Sequence, residues 1–214
     1  MERKGMKIVN FSSQLCMGKD VAADYICPEL NKLNIGKWER AAFANAVKNV
    51  YCDSFGVDRK FIEDWKRNPE IPPGMLMNVR KSLQFIGDGF RQIKGDIWIE
   101  IALRDESRQL VISDSRYINE ARHTHDKGGI NVVLYRPGYL NDDPNPSEAQ
   151  IKPIIEWCVQ TQKEGLIDHD IDGPKGSEFY HYFLINDGTV ADFYSKLDNL
   201  LIPYVKYKYS DSVV

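Results

Sequence analysis

Residues 7–20 read KIVNFSSQLCMGKD and carry the strongest fold signal in the chain. The first six residues form a short, mainly apolar run, which is typical of a strand buried on both faces. After a polar loop, residues 18–33 place apolar side chains at helical spacing, and Pro28 predicts a kink or an early end of that helix. The stretch therefore predicts a strand, a loop and a helix in that order.

The loop in this stretch is similar to the phosphate-binding P-loop pattern GxxxxGK[ST]. Gly18 and Lys19 fall at the GK of the pattern, between a strand and a helix as the pattern requires. In a P-loop, backbone N–H groups at the helix N-terminus surround a phosphate and the lysine reaches the outer phosphates. Ser13 stands at the first glycine position and Asp20 at the hydroxyl position. Two interpretations stay open on this stretch alone: a P-loop, and a turn whose glycine is only a tight corner.

The rest of the chain alternates predicted strands and helices. Apolar runs predict strands at residues 109–113, 130–135 and 182–185, and helical spacing predicts helices at residues 38–55, 57–65, 75–86, 96–103, 117–127 and 190–201. Strands without polar alternation, separated by helices, indicate a parallel sheet that is covered on both faces.

Asp114 follows the predicted strand 109–113. An apolar strand that ends in aspartate is typical of a Walker B element, whose carboxylate holds magnesium or its waters. An aspartate that only caps the next helix is the alternative. The ends of this strand and of the first strand would lie side by side at the carboxyl edge of the sheet, where ligands of such folds bind.

Composition limits the classes of function. The chain has 214 residues and a net charge of −3, which suits one globular domain and indicates no basic surface for nucleic acid or an anionic membrane. Four cysteines without a CxxC pair argue against a zinc site and a disulfide framework, and fit a reducing cytosol. No segment has the length of a signal peptide core or a membrane span. We therefore expect a cytoplasmic protein that binds neither nucleic acid nor membrane.

Five stretches, taken in order, resemble a known family. They are MGKD at 17–20 with ADYI at 23–26, FANAVK at 43–48 with FGVD at 55–58, RKSLQFIGDGFR at 80–91 with Trp98, DSR at 114–116 with NEA at 119–121 and VVLYRPG at 132–138, and INDG at 185–188. Their order and spacing are similar to those of the bacteriophage-type deoxynucleoside monophosphate kinases, which have the P-loop nucleoside monophosphate kinase fold. In that family an aspartate commonly follows the lysine, so Asp20 agrees with it, whereas Ser13 and Asp88 depart from it.

The resemblance implies a three-layer α/β/α fold with a parallel central sheet, NMP-binding helices and an inserted lid. On this basis residues 1–214 form a single kinase domain, with its core at 1–137 and 179–214, an acceptor-binding helical region at about 37–105 and a lid at about 138–178. The lid segment is rich in Pro, Asp and Gly and is long for a passive connector. A disordered surface insertion is the alternative for it.

The resemblance also implies a function, namely ATP-dependent phosphorylation of deoxynucleoside 5′-monophosphates to diphosphates, with Mg²⁺, for deoxynucleotide biosynthesis in the host cytoplasm of a phage. Lys19, Arg80, Arg116 and Arg136 are the implied catalytic residues. Implied ATP-binding residues are Ser13, Cys16, Met17, Gly18, Lys19, Asp20, Val21, Asn186 and Gly188. Implied substrate-binding residues are Lys48, Arg80, Gly87, Asp88, Arg91, Trp98, Asp114, Arg116 and Glu120. Asp114 would hold Mg²⁺ through water, with Asp20 as a second candidate.

Alternatives stay open at this point. A P-loop kinase of another small metabolite would share the donor half of the site, and a nucleotide-binding protein without turnover would lack the transfer step. The implied partners are ATP and a deoxynucleoside monophosphate. Neither the accepted base nor the formation of a homodimer is decided by the sequence, and an aromatic such as Trp98 is also a common core residue.

Overall fold

The computed structural model describes residues 6–142 and 145–210. The chain divides into two compact units. The sheet unit comprises Met1–Ala41 and Asp105–Val214, and the helical unit comprises Ala42–Arg104. The helical unit coincides closely with the region that the family resemblance assigned to acceptor binding.

In the part of the chain that the structure describes, the sheet unit is built on six strands. They are β1 Ile8–Ser12, β2 Trp38–Ala41, β3 Gln109–Ser115, β4 Ile130–Tyr135, β5 Gly165–Leu166 and β6 Tyr182–Ile185. The strand order is β2-β3-β1-β4-β6-β5, and every neighbouring pair is parallel except the antiparallel pair β5–β6. The predicted α/β class with a largely parallel sheet is confirmed. So is the placement of β1 beside β3, on which the expected meeting of their ends depends.

Ten α-helices accompany these strands in the described part of the chain. In the sheet unit they are α1 Lys19–Lys32, α6 Ile118–Asp126, α7 Pro146–Ala149, α8 Lys152–Thr161, α9 Val190–Lys196 and α10 Ile202–Tyr209. In the helical unit they are α2 Ala44–Phe55, α3 Arg59–Trp65, α4 Val79–Ile93 and α5 Ile97–Ala102. A 3₁₀ turn at Ser177–Phe179 and a π-helical turn at Leu197–Leu201 complete the set.

Both faces of the sheet are covered by apolar side chains. On β4, Val132 and Leu134 belong to the core formed with α1, α9 and α10, whereas Val133 belongs to the core formed with α8. Adjacent residues of a strand point to opposite faces, so each face of β4 has its own core. This double burial is the physical reason that the central strands read as continuous apolar runs.

One prediction about the first third of the chain was wrong, and the early helix end that Pro28 allowed is not observed. Residues 38–41 form the edge strand β2 and not the start of a helix, because Trp38 to Ala41 pair in register with β3. The backbone of Trp38 is also held at both its N–H and its C=O by the side chain of Asn31. Pro28 does not end α1, which continues to Lys32.

The segment assigned to the lid contains α7, α8 and β5. Ile154, Ile155 and Cys158 of α8 are fully buried in the core beneath β4. A lid that moved as a whole would have to take these side chains out of that core. Lid motion stays a prediction, and the packing of α8 argues against motion of the entire segment.

Over residues 6–142 and 145–210, no helix reaches the length and apolar character needed to span a bilayer.

Candidate functional site

A cavity of about 400 Å³ opens at the carboxyl edge of the sheet unit. It is lined by residues that follow four parallel strands, namely Leu15, Cys16, Met17, Gly18, Lys19, Asp20 and Val21 after β1, Ser113, Asp114 and Arg116 at the end of β3, Arg136 after β4, and Asn186, Gly188, Val190 and Phe193 after β6. Ligands of parallel α/β sheets bind at this edge. The structure therefore brings together nearly all the residues that the sequence assigned to ATP.

The loop between β1 and α1 has a defined shape that depends on Gly18. Gly18 has φ +104°, and a Cβ at this position would lie 2.7 Å from Asn186 Nδ2. Asn186 Nδ2 donates to the carbonyl of Met17 at 3.2 Å, which joins the loop to the turn after β6. Met17 is fully buried, so its side chain offers no surface to a ligand. Cys16 also has positive φ, at +65°.

Lys19 is folded back onto the loop. Its Nζ donates to the carbonyls of Ser13 and Gln14, both at 2.6 Å, and to Ser13 Oγ at 3.2 Å. Burial, followed by the nearby charge of Arg116, lowers the pKa of Lys19 to about 7, against smaller opposing effects of carboxylates such as Asp114. Ser13 is buried and does not line the cavity, so its predicted contact with ATP is replaced by a contact with Lys19.

Asp20 is held by partners that the sequence did not suggest. Arg40 Nη2, from β2, donates to Asp20 Oδ1 at 3.2 Å, and Ser113 Oγ donates to the same oxygen at 2.8 Å. Arg40 Nη2 also donates to Ser113 Oγ at 2.8 Å, while Arg40 Nη1 pairs with Asp24 one helical turn further along α1. The negative charge of Asp20 is therefore compensated within the protein.

The carboxylates of Asp20 and Asp114 face one cavity together with the hydroxyl of Ser113. Mg²⁺ takes oxygen ligands and is commonly held by one or two carboxylates with waters and substrate phosphates. This donor set fits that requirement. Within the described ranges, no group of three or more His, Cys, Asp or Glu side chains forms a complete metal site, so phosphates and waters would supply the other ligands.

Two arginines line the cavity. Arg116 Nη1 pairs with Glu148, a buried carboxylate of α7. The guanidinium carbon of Arg136 lies 4.2 Å from the ring centre of Tyr139, a cation–π distance. Both guanidiniums add positive charge next to the loop, and arginine's planar fork suits phosphate oxygens.

Glu120 was assigned to substrate binding, and the structure gives it a different role. It is 3% exposed, and its Oε2 accepts from the backbone N–H groups of Arg116 and Tyr117 at 2.8 and 3.0 Å. A carboxylate at the start of a helix satisfies amides that have no intrahelical partner. Glu120 therefore fixes the turn that carries Arg116.

The helical unit carries the remaining predicted substrate residues. Lys48 Nζ pairs with Glu63 at 2.8 Å, and the hydrogen bonds from Lys48 and then Lys66 lower the pKa of Glu63 to about 2. Arg91 lies 3.5 Å from Asp88, one turn earlier on α4. Arg80, near the start of α4, is exposed.

Trp98 and Gly87 form part of the packing of the helical unit. Trp98 is 1% exposed, and its Nε1 donates to the carbonyl of Gly87 at 2.9 Å. Its ring packs with Ala46 and Val47 of α2. Of the two interpretations kept open for Trp98, substrate binding and core, the structure shows the core one, because the buried ring offers no face for stacking.

Sequence reasoning missed Gln14, Arg40, Ser113 and Glu148. The signal for Arg40 was Asp20 and Asp24, two carboxylates one turn apart on α1 that favour a cation between them. No local pattern pointed to Glu148, which lies 32 residues from Arg116 in sequence.

Comparison with known proteins finds viral proteins that are similar in sequence to this chain. No protein-family model matches it. A protein of Acanthamoeba polyphaga mimivirus named "Putative deoxynucleotide monophosphate kinase" is 24% identical over 199 residues, which cover 84% of this chain and 88% of the relative. "Uncharacterized protein ORF76" of Ictalurid herpesvirus 1 (strain Auburn) is 22% identical over 200 residues, 88% of this chain and 64% of that protein, so the match spans under two thirds of its length. The resemblance predicted from the motifs is confirmed by the mimivirus relative.

Two of the solved structures that match this chain are distant from it in sequence. The APS kinase of Mycobacterium tuberculosis, in complex with AMPPNP and APS, has a TM-score of 0.40 at 16% identity, covering 92% of this chain and 98% of that one. An unliganded sugar kinase of Janibacter sp. HTCC2649 has a TM-score of 0.37 at 11% identity, covering 94% and 98%. Both scores lie below 0.5, and neither supports a conclusion about fold or function.

Proposed function

We propose that this protein is a kinase that transfers a phosphoryl group from ATP to deoxynucleoside 5′-monophosphates. One observation carries the proposal: the loop with Lys19, the carboxylate of Asp114 and the guanidiniums of Arg116 and Arg136 line one cavity at the carboxyl edge of a parallel sheet. The name of the mimivirus relative, which aligns over most of both chains, supports the same activity.

The donor triphosphate would lie against the loop. Backbone N–H groups at the start of α1 and the helix dipole favour negative charge there. Lys19 would leave the carbonyls of Ser13 and Gln14 and pair with the outer phosphates. Asn186 and Gly188 would lie beside the adenine.

Asp114 and Asp20 would hold Mg²⁺, which neutralises developing charge on the phosphates when it is bound. Arg40 offsets the charge of Asp20, so the carboxylate does not repel the triphosphate at full strength. Phosphoryl transfer needs little covalent chemistry from the protein, and alignment with positive charge supplies most of the catalysis.

Arg116 is the candidate in the sheet unit for binding the acceptor phosphate, and the helical unit offers candidates of its own. Lys48 and Arg91 are held by the exposed carboxylates of Glu63 and Asp88. An exposed ion pair contributes only about 0.2–1 kcal/mol, so a phosphate dianion can replace such a partner at low cost. Arg80 is exposed near the start of α4 and is a further candidate.

The test is a screen of phosphoryl transfer. The purified protein is mixed with ATP, Mg²⁺ and, in turn, dAMP, dCMP, dGMP, dTMP and their ribonucleotide counterparts, and diphosphate formation is followed by anion-exchange chromatography. We expect diphosphate from at least one deoxynucleotide, and a loss of about a thousandfold or more in Lys19→Met. Lys206→Met, on exposed surface of α10, is the matched control and should retain wild-type activity.

Each remaining outcome is decisive. Activity on a nucleoside or a coenzyme precursor, with none on any monophosphate, would replace this function with that of another small-metabolite kinase. ATP binding without any transfer, with wild type no more active than Lys19→Met, would indicate a non-catalytic nucleotide-binding protein.

A further inference from the structure

Glu148 lies between two parts of the candidate site, the loop after β1 and Arg116. Its side chain is 4% exposed. One carboxylate oxygen, Oε2, accepts the backbone N–H of Leu15 in the loop at 2.9 Å, and the other, Oε1, pairs with Arg116 Nη1. A single buried carboxylate thus joins the loop after β1 to the guanidinium after β3.

The backbone around Glu148 is tied to the same loop. Gln14 Nε2 donates to the carbonyls of Glu148 and Asn141 at 3.1 and 3.0 Å, and the N–H of Asn141 donates to Gln14 Oε1 at 3.0 Å. Gln14 is fully buried. Asn141 and Glu148 are therefore both fixed to the loop through one amide side chain, that of Gln14.

We propose that Glu148 is a positioning residue that fixes the orientation of Arg116, and the shape of the loop at Leu15, for phosphoryl transfer. The kinetic part of this inference rests on the proposed function. Arg116 lines the cavity, whereas Glu148 lies behind it, so Glu148 acts through Arg116 and not by contact with a nucleotide.

The opposite role is that of a phosphate substitute, in which Glu148 occupies Arg116 until a nucleotide displaces it. Burial argues against that role. A displaced Glu148 would leave a carboxylate in the protein interior without its guanidinium partner, which is strongly unfavourable. The two roles predict opposite effects of removing the charge, and this makes them separable.

The central variant is Glu148→Gln, which keeps the shape and an oxygen for the Leu15 N–H but removes the charge that orients Arg116. We expect kcat to fall about 10- to 100-fold, because a misplaced guanidinium no longer meets the transferring group. The dissociation constant of a non-hydrolysable ATP analogue, measured by calorimetry, should change less than about threefold. A kcat at or above the wild-type value would overturn the proposal, and tenfold tighter binding of the analogue would overturn it in favour of the displacement role.

Two matched comparisons show whether the effect passes through Arg116. In an Arg116→Lys background, Glu148→Gln should lower kcat by less than about threefold, since the planar fork it orients is already absent. The full loss in that background would contradict the proposal. Glu156→Gln, on the exposed face of α8 where Glu156 pairs with Lys152, is the charge-matched control and should keep the wild-type kcat.

A spectroscopic measurement separates this inference from the proposed function. In ¹⁵N-labelled wild type, the guanidinium of Arg116, assigned by Arg116→Lys, should give slowly exchanging side-chain NMR signals, and Glu148→Gln should broaden or remove them. Unchanged signals would overturn the positioning role whether or not the protein is a kinase. A wild type that phosphorylates no monophosphate would reject the proposed function and leave this NMR result to decide the role of Glu148.

Glu148→Asp is a second variant that tests the proposal if Glu148→Gln does not fold. It keeps the charge and shortens the side chain by one methylene, so we expect a kcat between those of wild type and Glu148→Gln. A wild-type kcat in Glu148→Asp, together with unchanged NMR signals of Arg116, would contradict the positioning role, because the shorter carboxylate would not hold Arg116 in the same place.

Discussion

The affinity of the protein for a nucleoside triphosphate should depend on pH through Lys19. Burial, and then the charge of Arg116, lowers the pKa of Lys19 to about 7 in the protein alone. A bound triphosphate brings negative charge next to Nζ, which favours the ammonium and raises that pKa. Binding should therefore be coupled to proton uptake that rises from about three quarters of a proton at pH 7.5 to close to one at pH 9.0.

The magnitude follows from the fraction of protein in which Lys19 is protonated. With a pKa of about 7, this fraction is about a quarter at pH 7.5 and about one hundredth at pH 9.0. If only the ammonium form binds well, the affinity falls about 25-fold over this range. The affinity falls with rising pH because the pKa of Lys19 is lowered. A lysine with its ordinary pKa would stay charged over this range, and the affinity would be nearly constant.

The assay is calorimetry with a non-hydrolysable ATP analogue at half-unit steps from pH 7.5 to 9.0, in two buffers of different ionisation enthalpy. The buffer difference gives the number of protons taken up. Lys19→Arg is the control, because arginine keeps its charge over this range and should remove the pH dependence. A wild-type affinity that is constant from pH 7.5 to 9.0, with no proton uptake, would refute a buried, largely neutral Lys19.

Three further predictions concern the shape of the loop, the helical core and the network around Asp20. Gly18→Ala should weaken binding of the ATP analogue by about tenfold or more in calorimetry, because its positive φ disfavours a side chain and the new methyl would lie 2.7 Å from Asn186 Nδ2. Trp98→Ala should lower the free energy of unfolding by about 3–5 kcal/mol in denaturant titrations, because it empties a buried site, whereas a change below about 1 kcal/mol would contradict the core assignment. Arg40→Gln should weaken binding of the ATP analogue, and adding Asp20→Asn should restore it. In unfolding measurements on the same variants, the coupling energy between the two residues should be only about 0.2–1 kcal/mol, because Asp20 is 81% exposed. Additive effects of the two substitutions on binding would argue against compensation of Asp20 by Arg40.

The sequence predicted the central strands and missed the edge. β4 and β6 are apolar along nearly their whole length, and β1 and β3 carry shorter apolar runs, because both faces of the sheet are covered; that pattern is local. β2 reads WERA, with two charged residues in four, and among the described residues it pairs only with β3. Nothing within residues 38–41 distinguishes this edge strand from the helix that begins at Ala44, and only the register with β3 does so.

Residues of the candidate site likewise include some that a local pattern predicts and others that only the folded structure reveals. Gly18, Lys19 and Asp114 could be predicted, because each stands at a fixed offset from a strand or helix end. Asp20 and Asp24 indicated a nearby cation but not that it would be Arg40, and nothing indicated Glu148, because each residue meets its partner only after the sheet has formed. Trp98 was misassigned because a motif position carries no information about burial.

The two departures from the P-loop pattern are best understood from backbone conformation and charge. Ser13 does not have positive φ, so a glycine is not needed at the start of this loop; the left-handed residues are Cys16 and Gly18. The hydroxyl of Ser13 and its carbonyl both accept from Lys19, which gives the residue a contact that glycine offers only in part. Asp20 brings a charge that the usual hydroxyl lacks, but its carboxylate accepts hydrogen bonds from Arg40 and Ser113. Ser13 is therefore matched by its contact with Lys19, and Asp20 by its partners Arg40 and Ser113, so neither departure argues against phosphate binding. We expect Asp20→Ser to change the dependence of activity on metal more than the affinity for the triphosphate.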